Sequence, residues 1–144
     1  MKLRANRNCH ALYNLEYHLI LVTKYCHPCI TEEMFQYLKQ ESERIFTINN
    51  IILEEMNYEP DHVHILISCP PEIRISGIIN GYKTATSRHI RAKFADDLKK
   101  WYWKPYFWSG SYMILSSGGA PIDVIKKYIQ EQGTPQHKQK SHKA

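Results

Sequence analysis

The sequence predicts an α+β fold, an antiparallel sheet with its long helices on one face and a further helix at the C-terminal end. Three observations lead there. The 144 residues suit one domain by the usual prior of roughly 100–200 residues. Stretches rich in β-branched and aromatic residues alternate with stretches of helical periodicity in the order strand, helix, strand, strand, helix, strand. A hydrophobic share of 43% and a charged share of 23% are those of a globular chain, which excludes a fibre or a wholly disordered protein.

The elements follow in order. Residues 13–25, YNLEYHLILVTKY, read as the first strand, ended by the turn at Pro28. Thr31 before Glu32 and Glu33 starts a helix. Met34, Phe35, Leu38, Ile45 and Ile48 keep near-helical spacing up to Asn49-Asn50. Residues 51–58 read as the second strand, Pro60-Asp61 as a tight connection and 62–69, HVHILISC, as the third strand. A long basic helix is expected from Ser76 to about Lys100, with Ile75, Ile78, Ile79, Tyr82 and Ile90 on its apolar side. The aromatic run through Trp108 to Tyr112 suggests a last strand or hairpin within 102–116. Gly118-Gly119 break the chain, Pro121 suits a first helical turn, and Ile122 to Gln132 form a short helix closed by Gly133. This order is the split βαβ arrangement of a ferredoxin- or RRM-like fold, whose sheet leaves its second face open. Residues 1–133 are expected to form the domain and 134–144 a basic, disordered tail.

Charge is unevenly spread behind a net +5. Residues 74–104 hold Arg74, Lys83, Arg88, Arg91, Lys93, Lys99, Lys100 and Lys104 against only Asp96 and Asp97. Such a segment suits a polyanion, although a solvated helix face accounts for charge runs equally often. No apolar run reaches the ~18 residues of a membrane span and the N-terminus has no signal-peptide core, so a cytoplasmic location without a membrane partner is expected. Cys9, Cys26, Cys29 and Cys69 are then expected as thiols. Cys26 and Cys29 are spaced as CxxC, but without the second half of a zinc site.

The third strand concentrates the chemistry. Side chains alternate along a strand, so His62 and His64 share one face while Val63, Ile65 and Ile67 share the other. The apolar set must face the helices, which puts both imidazoles on the opposite face, where they could ligate one divalent cation. An arbitrary HxH is more often a pair of exposed histidines. On the last helix, Tyr128 and Gln132 are four residues apart and stack on one face, at the edge of an apolar stripe. A rim tyrosine is the bland reading, and a nucleophile beside a metal ligand is the sharp one. His10, His18, His27 and His89 read as surface or core residues.

Pro60-Asp61-His62-Val63-His64 together with Tyr128-Ile129-Gln130-Glu131-Gln132 resembles the single-tyrosine transposases of the HUH endonuclease superfamily, enzymes of small insertion sequences that move as single-stranded DNA. The likeness spans nearly the whole chain, including Thr23-Lys24-Tyr25, Lys83…Ser87-Arg88 and Trp108…Tyr112. It implies that His62, His64 and Gln132 bind Mg²⁺ or Mn²⁺. It implies that Tyr128 attacks a DNA phosphodiester, leaving a 5′-phosphotyrosine and a free 3′-OH. It also implies a homodimer with composite active sites that recognises DNA hairpins at the element's ends. Because the bond energy is kept in phosphotyrosine, no nucleotide cofactor is expected, and the chain contains no GxxxxGK loop. Lys83, Arg88, Arg91, Lys93, Arg4 and Arg7 are candidate DNA contacts, as are the aromatics between Trp101 and Trp108. The chain departs from the resemblance at Cys26-His27-Pro28-Cys29, where basic residues are more usual. A non-catalytic module for single-stranded nucleic acid, or a domesticated relative that processes chromosomal hairpin repeats, are the competing readings.

Overall fold

The computed structural model describes residues 15–116 and 122–132, so the N-terminal segment with Arg4 and Arg7, the glycine break and the basic tail lie outside it. The chain runs β1 (Leu15–Val22), α1 (Glu32–Ile48), β2 (Ile52–Glu59), β3 (His62–Cys69), α2 (Ile75–Lys93), α3 (Ala95–Leu98), β4 (Met113–Ser116) and α4 (Ile122–Gln132). The strands form one sheet in the order β2-β3-β1-β4, antiparallel throughout. That is the ferredoxin-like order which the element sequence predicts.

Register places the core. Leu19 pairs with Ile65 and Leu21 with Val63, and directly opposed residues share a face. These side chains are fully buried with Met34, Leu38 and Phe46 of α1 and Ile79, Tyr82 and Ile90 of α2. β2 reaches this core with both Leu53 and Met56, three residues apart, because the register shifts between Leu53 and Glu55. The extra residue, Glu54, accepts from Ser68 Oγ at 2.8 Å. Thr31 caps α1 through a hydrogen bond from Met34 N. The buried Tyr82 hydroxyl meets Ser42 Oγ at 2.6 Å, its ring stacked on Phe46.

Three expectations are corrected. The long basic helix ends at Lys93, because Phe94 leaves helical geometry (φ −117°, ψ 36°) while turning its ring into the core. Residues 102–112 are not strand. Tyr102, Phe107 and Trp108 are buried there as core filling, Trp103 stands exposed, and one bridge, Thr23 to Trp108, ties the segment to the sheet. The rings of this segment, interrupted by Lys104-Pro105, do not alternate between two faces: Tyr102, Phe107 and Trp108 fill space and Trp103 does not. Finally, the second face of the sheet is not open at the His62 end. Ile20 and Val22 pair with His64 and His62, so they share that face, yet both are fully buried. Apolar side chains here exclude water, and α4 docks at this same end of the molecule.

Candidate active site

β3 delivers the two histidines as the alternation requires. Val63, Ile65 and Ile67 are fully buried in the core, and His62 and His64 are half-buried on the other face. Each imidazole has one ring nitrogen engaged. Nδ1 of His62 lies 2.8 Å from Asp61 Oδ1. Nε2 of His64 lies 2.8 Å from Nδ1 of His18, on the neighbouring strand β1. Burial lowers the pKa of His64, with smaller contributions from His18 and His62. A neutral imidazole is the form that can donate a lone pair to a metal.

Asp61 is held in turn. Cys26 Sγ sits 3.3 Å from its Oδ2 and 3.7 Å from the carbonyl oxygen of Ile129 on α4. The thiol reaches both because Tyr25 and Cys26 take left-handed backbone angles, φ 60° and 59°. Cys29, by contrast, is in the core near Tyr102 Oη, and burial raises its pKa to about 11. The two cysteines of the CxxC thus serve different surroundings.

α4 places Tyr128 and Gln132 on one face, against the segment before β4. Gln132 is buried, and its Oε1 accepts from Ser109 Oγ at 3.0 Å and from Ser111 Oγ at 3.1 Å. Ser111 Oγ also lies 3.1 Å from the Tyr128 hydroxyl. A serine has one proton to give. With that proton on Gln132, Tyr128 donates and Ser111 accepts. Burial raises the pKa of Tyr128, partly offset by Ser111, so the phenol is held protonated in this docked position.

Lys83 has a structural place here. Its Nζ donates to the carbonyl oxygens of Ser109 (2.8 Å) and Ser111 (3.3 Å), and burial pulls its pKa down to about 8. It braces the segment that holds Tyr128 and Gln132. The other basic candidates of α2 differ. Arg88 and Lys93 are exposed, and Lys93 Nζ stands 5.3 Å from the Tyr37 ring centroid. Arg91 is half-buried and donates from Nε to Ser87 Oγ. α2 packs on the helix-bearing face of the sheet, so these groups lie across the sheet from His62 and His64.

Asp61, His18, Ser109 and Ser111 are the site residues that sequence reasoning did not assign. Asp61 had a signal, its adjacency to His62. His18, Ser109 and Ser111 reach the site through strand register and helix docking, which no local spacing reports. His89 pairs with Glu41 and His27 stacks on Tyr102, as residues outside the site. Among the described residues no group of three or more His, Cys, Asp or Glu side chains is arranged to hold a metal, and no helix is long and apolar enough to cross a membrane.

Fold and site together define a class: a ferredoxin-like sheet with a histidine pair on the face opposite α1 and α2, and a short helix bearing tyrosine and glutamine. The family described as IS200-like transposases matches residues 11–132, and the chain belongs to it. It is a transposase of the insertion-sequence type, a DNA-cleaving and strand-transferring enzyme. It is 34% identical over 121 residues to the ISDra2 transposase TnpA of Deinococcus radiodurans, covering 84% of this chain and 86% of that one. It is 25% identical over 123 residues to the IS200 transposase of Salmonella typhimurium, covering 85% and 80%. The crystal structure of a transposase candidate from Deinococcus radiodurans superposes with a TM-score of 0.79 at 31% identity, covering 88% of this chain and 97% of that one.

Proposed function

We propose that this transposase cleaves and rejoins single-stranded DNA at the ends of its insertion sequence, through a 5′-phosphotyrosine on Tyr128, and recognises those ends as hairpins. One observation carries the reading: Tyr128 and Gln132 lie one turn apart on a single docked helix, in a family member whose β3 presents His62 and His64 on one face.

The step balances within the chain's own chemistry. The Tyr128 oxygen bonds to phosphorus as the bond from phosphorus to the 3′ oxygen breaks, and the proton lost by the phenol is matched by one gained at the 3′ oxygen. In the docked position Ser111 accepts the phenolic hydrogen bond and the proton stays on Tyr128, so the phenol gives it up only as the helix engages the DNA. Because the phosphodiester is exchanged for a phosphotyrosine, rejoining reverses the step without a nucleotide.

A divalent cation, Mg²⁺ or Mn²⁺, when bound would polarise the scissile phosphate and offset the charge developing on its oxygens. His62 and His64 fit such an ion, since each faces away from the core and is oriented by a neighbour. Gln132 offers a neutral oxygen suited to a hard ion, but Ser109 and Ser111 occupy both its lone-pair directions. It joins the site only when these hydroxyls let go, or when it arrives from the helix of a second subunit.

The test is covalent. Incubation with a hairpin-bearing single strand and Mn²⁺ should give a denaturant-stable protein–DNA adduct. Tyr128→Phe should abolish the adduct and keep hairpin binding within about twofold. An adduct in Tyr128→Phe would move the nucleophile elsewhere. Absence of an adduct from the unaltered protein, with the hairpin still bound, would favour a non-catalytic binding module.

A further inference from the structure

His18 and His64 are diagonal neighbours on one sheet face: His18 is opposed to Leu66 and His64 to Ile20. Their nitrogens are 2.8 Å apart and their ring centroids 5.0 Å. A neutral imidazole has one N–H and one lone pair, so this contact has only two forms. If Nδ1 of His18 donates, Nε2 of His64 spends its lone pair on the hydrogen bond and the proton of His64 sits on Nδ1. His64 then has nothing left for a metal. If Nε2 of His64 donates, Nδ1 of His18 accepts and Nδ1 of His64 carries a free lone pair. Only the second form lets His64 ligate a metal while the contact persists.

We propose that His18 is a positioning residue that holds His64 in the Nε2–H tautomer and fixes its ring, leaving Nδ1 for the divalent cation. The inference rests on the reading of His62 and His64 as metal ligands. Asp61 does the same for His62 with the nitrogens exchanged: it accepts from Nδ1–H at 2.8 Å and leaves Nε2. Each histidine of the pair therefore has its own acceptor, a carboxylate from the preceding residue in one case and an imidazole from the adjacent strand in the other. Outer partners of this kind orient the ring and raise ligand basicity, and their loss commonly weakens metal binding by about 10–100-fold.

Two measurements test this. Long-range ¹H–¹⁵N spectra of the metal-free protein read the His64 tautomer directly: the Nε2–H form supports the proposal and the Nδ1–H form overturns it, whatever the metal does. Mn²⁺ titration followed by electron paramagnetic resonance supplies the second. His62→Ala and His64→Ala should abolish specific Mn²⁺ binding. His18→Leu should weaken it by about 10–100-fold. His18→Asn, whose amide oxygen can accept where Nδ1 does, should recover most of that loss. His18→Leu with unchanged or tighter Mn²⁺ binding would overturn the proposal, tighter binding meaning that the contact competes with the metal. If Mn²⁺ binding ignores His62 and His64 in the first place, the metal reading itself fails, and the proposal falls with it. That result differs from a failure confined to His18.

Discussion

Lys83 shows how a residue's type and its role can part. In the sequence it is one of eight basic residues in 74–104 and a natural phosphate contact. In the structure it spends its hydrogen bonds on Ser109 and Ser111, whose hydroxyls hold Gln132 and Tyr128. Desolvation of its ammonium lowers its pKa from 10.5 to about 8, which has a consequence for stability. Between pH 8 and 10.5 the unfolded chain holds this proton and the folded chain has released it, so the folded state gains stability as pH rises through that window. Below pH 8 both states are protonated and the penalty is fully present. Lys83→Met should therefore flatten the rise of the urea midpoint between pH 7.5 and 9.5 relative to the unaltered protein. An identical rise in both proteins would assign it to other groups. The same substitution should change the rate of adduct formation more than it weakens hairpin binding, because Lys83 braces the segment on which Tyr128 docks.

Elements were legible where periodicity and local chemistry agreed, and illegible where packing decided. The alternation of His62-Val63-His64-Ile65 set the face of β3 correctly, and the Thr31 cap marked the start of α1. The end of α2 was not legible: Phe94 fits a helical pattern, and only the core position of its ring ends the helix at Lys93. The aromatic run looked like strand because aromatics favour strands, yet Tyr102, Phe107 and Trp108 are buried from a loop. His18 was dismissed because its meaning depends on the diagonal between β1 and β3, which is a property of register and not of spacing. α2 itself presents Arg88 exposed and Arg91 half-buried on the helix-bearing side of the molecule. If hairpin phosphates bind there, neutralising both arginines should lower the slope of log K against log salt by about two, near one per phosphate contact. An unmoved slope would assign these arginines to a solvated face and turn attention to Arg4 and Arg7.

At the scale of the whole molecule, the proposed site can combine Tyr128 with a histidine pair in two ways, within one chain or between two. In this structure α4 rests on its own chain, through Cys26 to Ile129 and through Ser109 and Ser111 to Gln132. That dock keeps the phenol protonated and occupies the Gln132 oxygen, so it suits a resting helix better than an engaged one. An eleven-residue helix is marginal alone and needs a surface to exist, and a second copy of the chain offers the same kind of surface. A homodimer whose sites combine the histidine pair of one subunit with the α4 of the other would release Gln132 from its serines as the site assembles. Two-fold symmetry makes the outcome of mixing sharp. A His62→Ala, His64→Ala chain paired with a Tyr128→Phe chain has one fully intact site if sites are shared between subunits, and none if each chain builds its own. Each mutant homodimer should be inactive alone, and co-refolded mixtures should recover adduct formation at up to about one quarter of the unaltered level, since half the dimers are mixed and each carries one working site. Silence in mixtures with demonstrated subunit exchange would mean that α4 cleaves for its own chain, and the Ser109–Ser111 dock would then be the near neighbour of the active state.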